Sequence, residues 1–260
     1  MGGNARAGSS PAIGTIGMYN DQQEFDIRCE WGARGVEELA PSEAVVIVDV
    51  LSFSTCVDVA VSAGAAIYPY PLKDETVFDF AEKIGALAAG LERSTTSYSL
   101  SPISFRSATK DERIVLASPN GARLTYLAHP ADIFCACLRN FKSIARYLTA
   151  HYKKITVISS GEQWEDASLR PAIEDLLGAG ALISELEGNK SPEALMAENA
   201  FKSLAASNSI GGILLFCGSG KELMAQGFPD DVLVASELNA SIAVPMLVDG
   251  AYVNVGMTYV

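Results

Sequence analysis

Residues 43–50, EAVVIVDV, carry an unbroken apolar and mostly β-branched run that ends on an acid, Asp49. A strand with one wet face alternates apolar and polar residues, so a run without alternation suits a strand buried on both faces. Such a strand needs helices on both sides of its sheet, which points to an α/β fold. The following stretch, STCVDVAVSAGA, predicts a helix with Ser54 or Thr55 as its N-cap and Gly64 near its end.

The same alternation runs along the chain. EFDIRCEW (24–31), AAIYPYPL (65–72), RIVLAS (113–118), ADIFCACL (131–138) and KITVISSG (154–161) read as strands. Helices are predicted over 76–90, over ARLTYLA after the Pro119-Asn120-Gly121 turn, and over 140–152. Two more are expected over 168–186, with Pro171 in the first turn, and over 191–207, with Ser191 as N-cap and Pro192 at the first helical position. Residues 91–110 are rich in Ser and Thr and read as a long loop. An apolar strand, AYVNVGMTYV, ends the chain and is a candidate surface for a homodimer. No repeat or linker interrupts residues 21–260. The expectation is a single three-layer α/β/α domain on a parallel or mixed central sheet, preceded by a Gly- and Ser-rich disordered tail over residues 1–20.

Composition limits the partners. A chain of 260 residues with a net charge of −12 has no overall field that would draw nucleic acid or an anionic membrane. An anionic ligand must then be held by a few local cations and helix N-termini. There is no apolar run long enough to span a membrane, and the first residues, MGGNARAGSS, lack the apolar segment of a signal peptide. The five cysteines, Cys29, Cys56, Cys135, Cys137 and Cys217, form no C-x-x-C pair and sit in apolar surroundings. They read as buried free thiols of a cytoplasmic protein. Cys135 and Cys137, alternate residues of one strand, are poorly placed for a disulfide.

In open α/β sheets ligands bind beyond the carboxyl ends of the strands. Four turns there carry polar residues: Asp49 to Thr55, Ser118 to Arg123, Cys137 to Asn140, and Ser159 to Glu162. Arg170, Glu174 and Asp175 add a fifth group on a helix. These carboxylates, hydroxyls, amides and guanidiniums suit a hard cation beside an anion. Each has a plainer reading. Asp49 also serves as a turn cap, Ser54 and Thr55 as N-caps, Asn120-Gly121 as a turn, and Arg123 as a solvated helix residue. Glu174 and Asp175 diverge by about 100° around a helix. Other chemistries fit less well. His129 and His151 are the only histidines, and no Gly-x-Ser-x-Gly elbow occurs. Gly218-Ser-Gly220-Lys221 fails as a P-loop, because Leu215 stands where the first glycine belongs and Glu222 follows the lysine.

The blocks VVIVDVLSFST, GLER, SLSP, SPNGARL, CLRN, RPAIEDLLGAG, SGKELMAQGFPDDVLVASEL and VPMLVDG follow one another in the order seen in the 2-phosphosulfolactate phosphatase family, which the chain resembles from about residue 25 to 260. The resemblance implies a three-layer α/β/α fold. It also implies Mg2+-dependent removal of phosphate from 2-phospho-3-sulfolactate, a step toward coenzyme M. It points to Asp49, Glu92, Arg93, Asn120, Gly121, Gly161, Glu174 and Asp175, and it implies a helix over 217–227 rather than a strand and phosphate loop. The chain departs from the family at three places. Ser52 stands where the family has the arginine of Asp-x-Leu-Arg, and Ser97 and Leu100 replace an Asp and an Asn.

The sequence reading is therefore a magnesium-dependent phosphatase for a small anionic phosphoester. Asp49, Arg93 and Asn120 are its catalytic candidates. Asp49, Glu92, Glu174 and Asp175 are the metal candidates, and Ser52, Ser54, Thr55, Gly121, Arg123, Arg139 and Gly161 hold substrate. An arginine lost at position 52 removes a contact of roughly 1.5–3 kcal/mol. Either Arg123, Arg139 or Arg170 replaces it, or the ester is less anionic. The competing readings are a non-catalytic binding protein on the same fold and a thiol enzyme acting through Cys137.

Overall fold

The first five strands are β1 (Ile27–Trp31), β2 (Ala44–Val48), β3 (Ala66–Tyr70), β4 (Leu87–Ala88) and β5 (Arg113–Ala117), and all but β4 follow the expected apolar runs. They belong to a computed structural model that describes residues 19–256. The expected tail over 1–20 lies, apart from its last two residues, outside the described residues. The remaining strands are β6 (Asp132–Ala136), β7 (Ile155–Ser159), β8 (Glu162–Gln163), β9 (Leu169–Arg170), β10 (Pro245–Val248) and β11 (Ala251–Asn254). Between them lie α1 (Gly32–Glu38), α2 (Phe53–Ser62), α3 (Thr76–Ile84), α4 (Gly121–Leu127) and α5 (Phe141–His151). Then come α6 (Ile173–Ser184), α7 (Pro192–Ala206), α8 (Ile210–Phe216), α9 (Gly218–Ala225) and α10 (Pro229–Ala235).

Nine of these strands form one mixed sheet in the order β1-β7-β2-β6-β10-β11-β3-β5-β4. All contacts within β1-β7-β2-β6 and within β3-β5-β4 are parallel. The hairpin β10–β11 joins the two groups by antiparallel contacts with β6 and with β3. Three antiparallel steps in succession mean that the two parallel groups run in opposite senses. The terminal strand segment Ala251–Asn254 is paired on both edges, so it offers no free edge to a second copy.

The unbroken run in β2 behaves as its pattern requires. Val46 and Val48 join one core with Phe134, Val157 and the apolar faces of α5, α6 and α7. Val45 and Ile47 join the other with Ile133, Ile67, Leu116 and the inner face of α2. Fully burying such a side chain stabilises by roughly 1.5–3 kcal/mol, so both faces of the central strand are fixed by helices and the three-layer arrangement follows.

Three sequence expectations change. The helix expected over 76–90 stops at Ile84, because Gly85 takes a left-handed conformation (φ 64°) and the chain then enters β4. The helix expected over 168–186 starts at Ile173. Leu169–Arg170 instead pairs with Glu162–Gln163, and Pro171 disfavours a helical residue before it. The Ser- and Thr-rich segment 91–110 holds a 3-10 helix over Pro102–Ser107. Ser191 caps α7 as expected, accepting from the Ala194 amide at 3.1 Å, and α9 replaces the strand-and-loop alternative.

Candidate active site

A cavity of about 590 Å3 lies where the turns after β2, β5 and β7 meet residues 91–100 and α9. Asp49 leaves the end of β2 into this cavity and is 5 % exposed. Its Oδ1 accepts from the Phe53 amide at 3.2 Å and its Oδ2 from the Gly121 amide at 2.9 Å. Asp49 is thus both the cap of the α2 turn and a wall of the cavity. The approach of the β5–α4 turn depends on glycine. A Cβ at Gly121 would lie 2.4 Å from the Phe53 ring and 2.8 Å from Asp49 Oδ2.

Arg93 enters from the loop that follows β4. Its Nη1 donates to Asp231 Oδ2 at 2.6 Å, and its two terminal nitrogens contact Ser52 Oγ at 3.3 and 3.4 Å. The guanidinium also lies 5.7 Å from the centre of the Phe228 ring. Asp231 is fully buried in the first turn of α10, and its Oδ1 accepts from Ser101 Oγ at 2.6 Å. A cation anchored this way keeps a fixed orientation, and side-chain entropy does not have to be lost again when an anion arrives. Ser52, where the resemblance places an arginine in the family, therefore touches the Arg93 guanidinium.

Carboxyl groups crowd the other wall. Glu162 Oε2 accepts from Asn120 Nδ2 at 2.9 Å. Burial, then the nearby Asp49 charge, pushes the Glu162 carboxyl up to about 7. Burial also raises Asp49 to about 6. The two backbone amides oppose that rise, while Glu174 adds to it and Arg93 reduces it. Burial followed by repulsion from Asp49 and Glu174 raises Asp175 well above the usual carboxylate range. Buried carboxyls raised in this way mark a site short of positive charge.

The structure sorts the residues singled out in the sequence. Asp49, Ser52, Glu92, Arg93 and Asn120 line the cavity together. Ser54 and Thr55 do not. Both lie inside α2, where Ser54 Oγ accepts from the Asp49 amide at 2.8 Å and Thr55 Oγ1 donates to the Val50 carbonyl at 2.7 Å. Their hydroxyls brace the β2–α2 turn. Asp175 is a brace as well, because its two oxygens accept from the Val50 and Gly161 amides, each at 2.8 Å. Gly161 (φ 70°) serves that bond and faces a second, smaller cavity together with the exposed Arg123. Arg139 is paired with Asp58 at 2.9 Å and with Glu237, away from the cavity. Glu174 is 2 % exposed and acts on Asp49 and Glu162 through its charge, from behind the cavity wall. Of the three expected arginine replacements, none lines the cavity, and Arg170 is paired with Glu222. Leu100 lines the cavity, whereas Ser97 lies against another surface hollow.

Sequence reasoning missed three groups. Glu162 stood in one of the polar turns but was not chosen. Asp231 reads as an ordinary acid in the first turn of a helix, and nothing local betrays that its partner lies far away in sequence. Ser219 sat in the rejected phosphate-loop motif. The five cysteines are buried and free, as expected. Burial raises the Cys137 thiol far above its ordinary value, the opposite of what a thiolate nucleophile needs. Among the described residues, no helix is long and apolar enough to cross a membrane.

Comparison with known proteins agrees with the resemblance drawn from the blocks. The sequence model of the family described as 2-phosphosulpholactate phosphatase matches residues 33–250. A probable 2-phosphosulfolactate phosphatase of Carboxydothermus hydrogenoformans is 32 % identical over 79 % of this chain and 87 % of its own. Proteins of the same description from Thermotoga maritima (27 % identical, 80 % of this chain and 90 % of the relative) and Pseudothermotoga lettingae (24 %, 84 % and 95 %) match almost as broadly.

Proposed function

Since the chain belongs to the 2-phosphosulfolactate phosphatase family, we propose that it is a phosphoric monoester hydrolase that converts 2-phospho-3-sulfolactate and water to 3-sulfolactate and phosphate with the help of Mg2+. The observation that carries this reading is the pairing in one cavity of Asp49, held by two backbone amides, with Arg93, held by Asp231. A phosphoryl group needs a fixed cation for its oxygens and a carboxylate beside the reacting phosphorus.

The donor set suits a hard cation. Asp49, Glu92 and Glu162 line the cavity with oxygen donors, and the raised Asp49 and Glu162 carboxyls are what an added positive charge would relieve. Among the described residues no three His, Cys, Asp or Glu side chains converge into a ligand shell. Mg2+ commonly takes only one or two carboxylates and completes its octahedron with water and substrate phosphate. Asp49 and Glu162, which line the cavity, would hold it here, and Asp175, which does not line it, would not. When bound, the ion would offset charge on the phosphoryl oxygens.

The chain's own groups do the remaining work. Arg93 binds the phosphoryl oxygens and keeps their orientation through Asp231. Asn120 holds Glu162 in place through its amide. Asp49 has lost its proton at neutral pH and can accept one from an attacking water. The test is phosphate release from 2-phosphosulfolactate and from a panel of small phosphomonoesters, with Mg2+ and with chelator. Mg2+-dependent release with this ester preferred supports the proposal. No release from any ester by folded protein overturns it in favour of a binding protein on the same fold.

A further inference from the structure

The rejected motif Gly218-Ser219-Gly220 turns out to open α9 on the cavity wall. Gly220 donates its amide to Cys217 Sγ at 3.3 Å and Lys221 to the Cys217 carbonyl at 3.0 Å. The amides of Gly218 and Ser219 have no acceptor among the described residues. Ser219 lines the cavity, is only 4 % exposed, and its Oγ has no hydrogen-bond partner among the described residues. A buried hydroxyl without a partner is unfavourable, and an oxygen of a bound ligand would satisfy it.

A cation backs the same turn. A Cβ on Gly218 would lie 2.5 Å from Arg170 Nη1, so the guanidinium packs directly against this turn and a larger residue would displace it. Arg170 is shared with Glu222, 3.5 Å away. Two free amides, a free hydroxyl and an adjacent guanidinium at the positive end of a helix make a cradle for an oxyanion.

The geometry points to an oxyanion subsite at the edge of the active cavity, formed by Ser219 and the Gly218 and Ser219 amides, with Arg170 behind the turn rather than in the cavity wall. Its ligand is a tetrahedral oxyanion of the phosphoester, either the sulfonate or the phosphoryl group itself. This assignment deepens the phosphoester reading above, but binding at the cradle can be measured without turnover. The cradle also offers an answer to the lost arginine at Ser52, because backbone amides and a hydroxyl can supply anion contacts that a second cavity arginine does not.

Two measurements test it. The first titrates 15N-labelled protein with methanesulfonate and, separately, with inorganic phosphate. Shifts of the Gly218 and Ser219 amide signals by either probe are expected. Their absence with both probes overturns the subsite, whether or not the protein hydrolyses any ester. The second compares kcat/KM for 2-phosphosulfolactate and 2-phospholactate in wild type, Ser219→Ala and Gly218→Ala. A hydrogen bond to a charged group corresponds to about a tenfold loss or more. A loss confined mainly to the sulfonated ester assigns the cradle to the sulfonate, and an equal loss on both esters assigns it to the phosphoryl group. Wild-type rates in both variants overturn the proposal. If wild type hydrolyses neither ester, the phosphatase reading fails while the amide titration still decides the subsite.

Discussion

Replacing Asp49 by Asn tests directly whether this carboxylate is held ionised at a cost. In the folded chain Asp49 ionises at about 6, against an ordinary value of 3.8. At about 1.4 kcal/mol per tenfold change in proton affinity, the gap corresponds to about 3 kcal/mol. Between those two pH values the folded chain holds a proton that the unfolded chain has released. Folding stability therefore falls as pH rises through that window and stays lower above it. Asn also carries a fixed penalty, because both Asp49 oxygens accept from backbone amides and an Asn NH2 group must face one of them. That penalty of about 1–3 kcal/mol does not depend on pH. The informative quantity is thus the change in the difference between the two proteins. Urea unfolding of wild type and Asp49→Asn, in chelator, from about pH 4 to about pH 8, should show the variant gaining about 2–3 kcal/mol on wild type across the range. Parallel stability profiles, within about 0.5 kcal/mol, would refute the claim that burial strains this carboxylate. Turnover of the variant should drop by about a hundredfold or more, and a fully active Asp49→Asn protein would remove Asp49 from the chemistry.

Other consequences follow from single contacts. Asp231→Asn releases the buried partner of Arg93, 2.6 Å away; KM should rise about tenfold or more for a phosphoester, with a smaller change in kcat, and unaltered KM would show that Arg93 needs no anchor. Gly121→Ala pushes a Cβ against Phe53 and Asp49, so urea unfolding should report a loss of about 1–3 kcal/mol together with lost turnover. The five buried thiols should resist a thiol reagent in the native protein and react once it is unfolded; fast native modification with loss of activity would revive the thiol reading. Ser52→Arg sets a second guanidinium beside Arg93, and a lower KM for the sulfonated ester than for 2-phospholactate is expected; equal effects on both would separate position 52 from specificity.

The apolar run of β2 was enough to fix a strand buried on both faces, and the alternation around it was enough to require helices on both sides. These features depend on residue type and local period, which the chain carries in itself. Asp49 was legible for the same reason, since an acid at the end of such a strand either caps a turn or faces open space at the sheet edge, and here it caps a turn and lines a cavity. The family blocks likewise named Glu92, Arg93 and Asn120, which line the same cavity. What the sequence could not decide was which polar groups are already engaged. Ser54, Thr55, Asp175 and Arg139 have the right chemistry, but each spends its hydrogen bonds inside the protein, on partners up to 125 residues away in the case of Asp175. Only the packed fold reveals the converse cases, Asp231 holding Arg93 and Ser219 with no partner. Local sequence sets what a side chain can bond to. Tertiary structure decides what remains within reach, because a hydrogen bond is lost within about an ångström of misplacement.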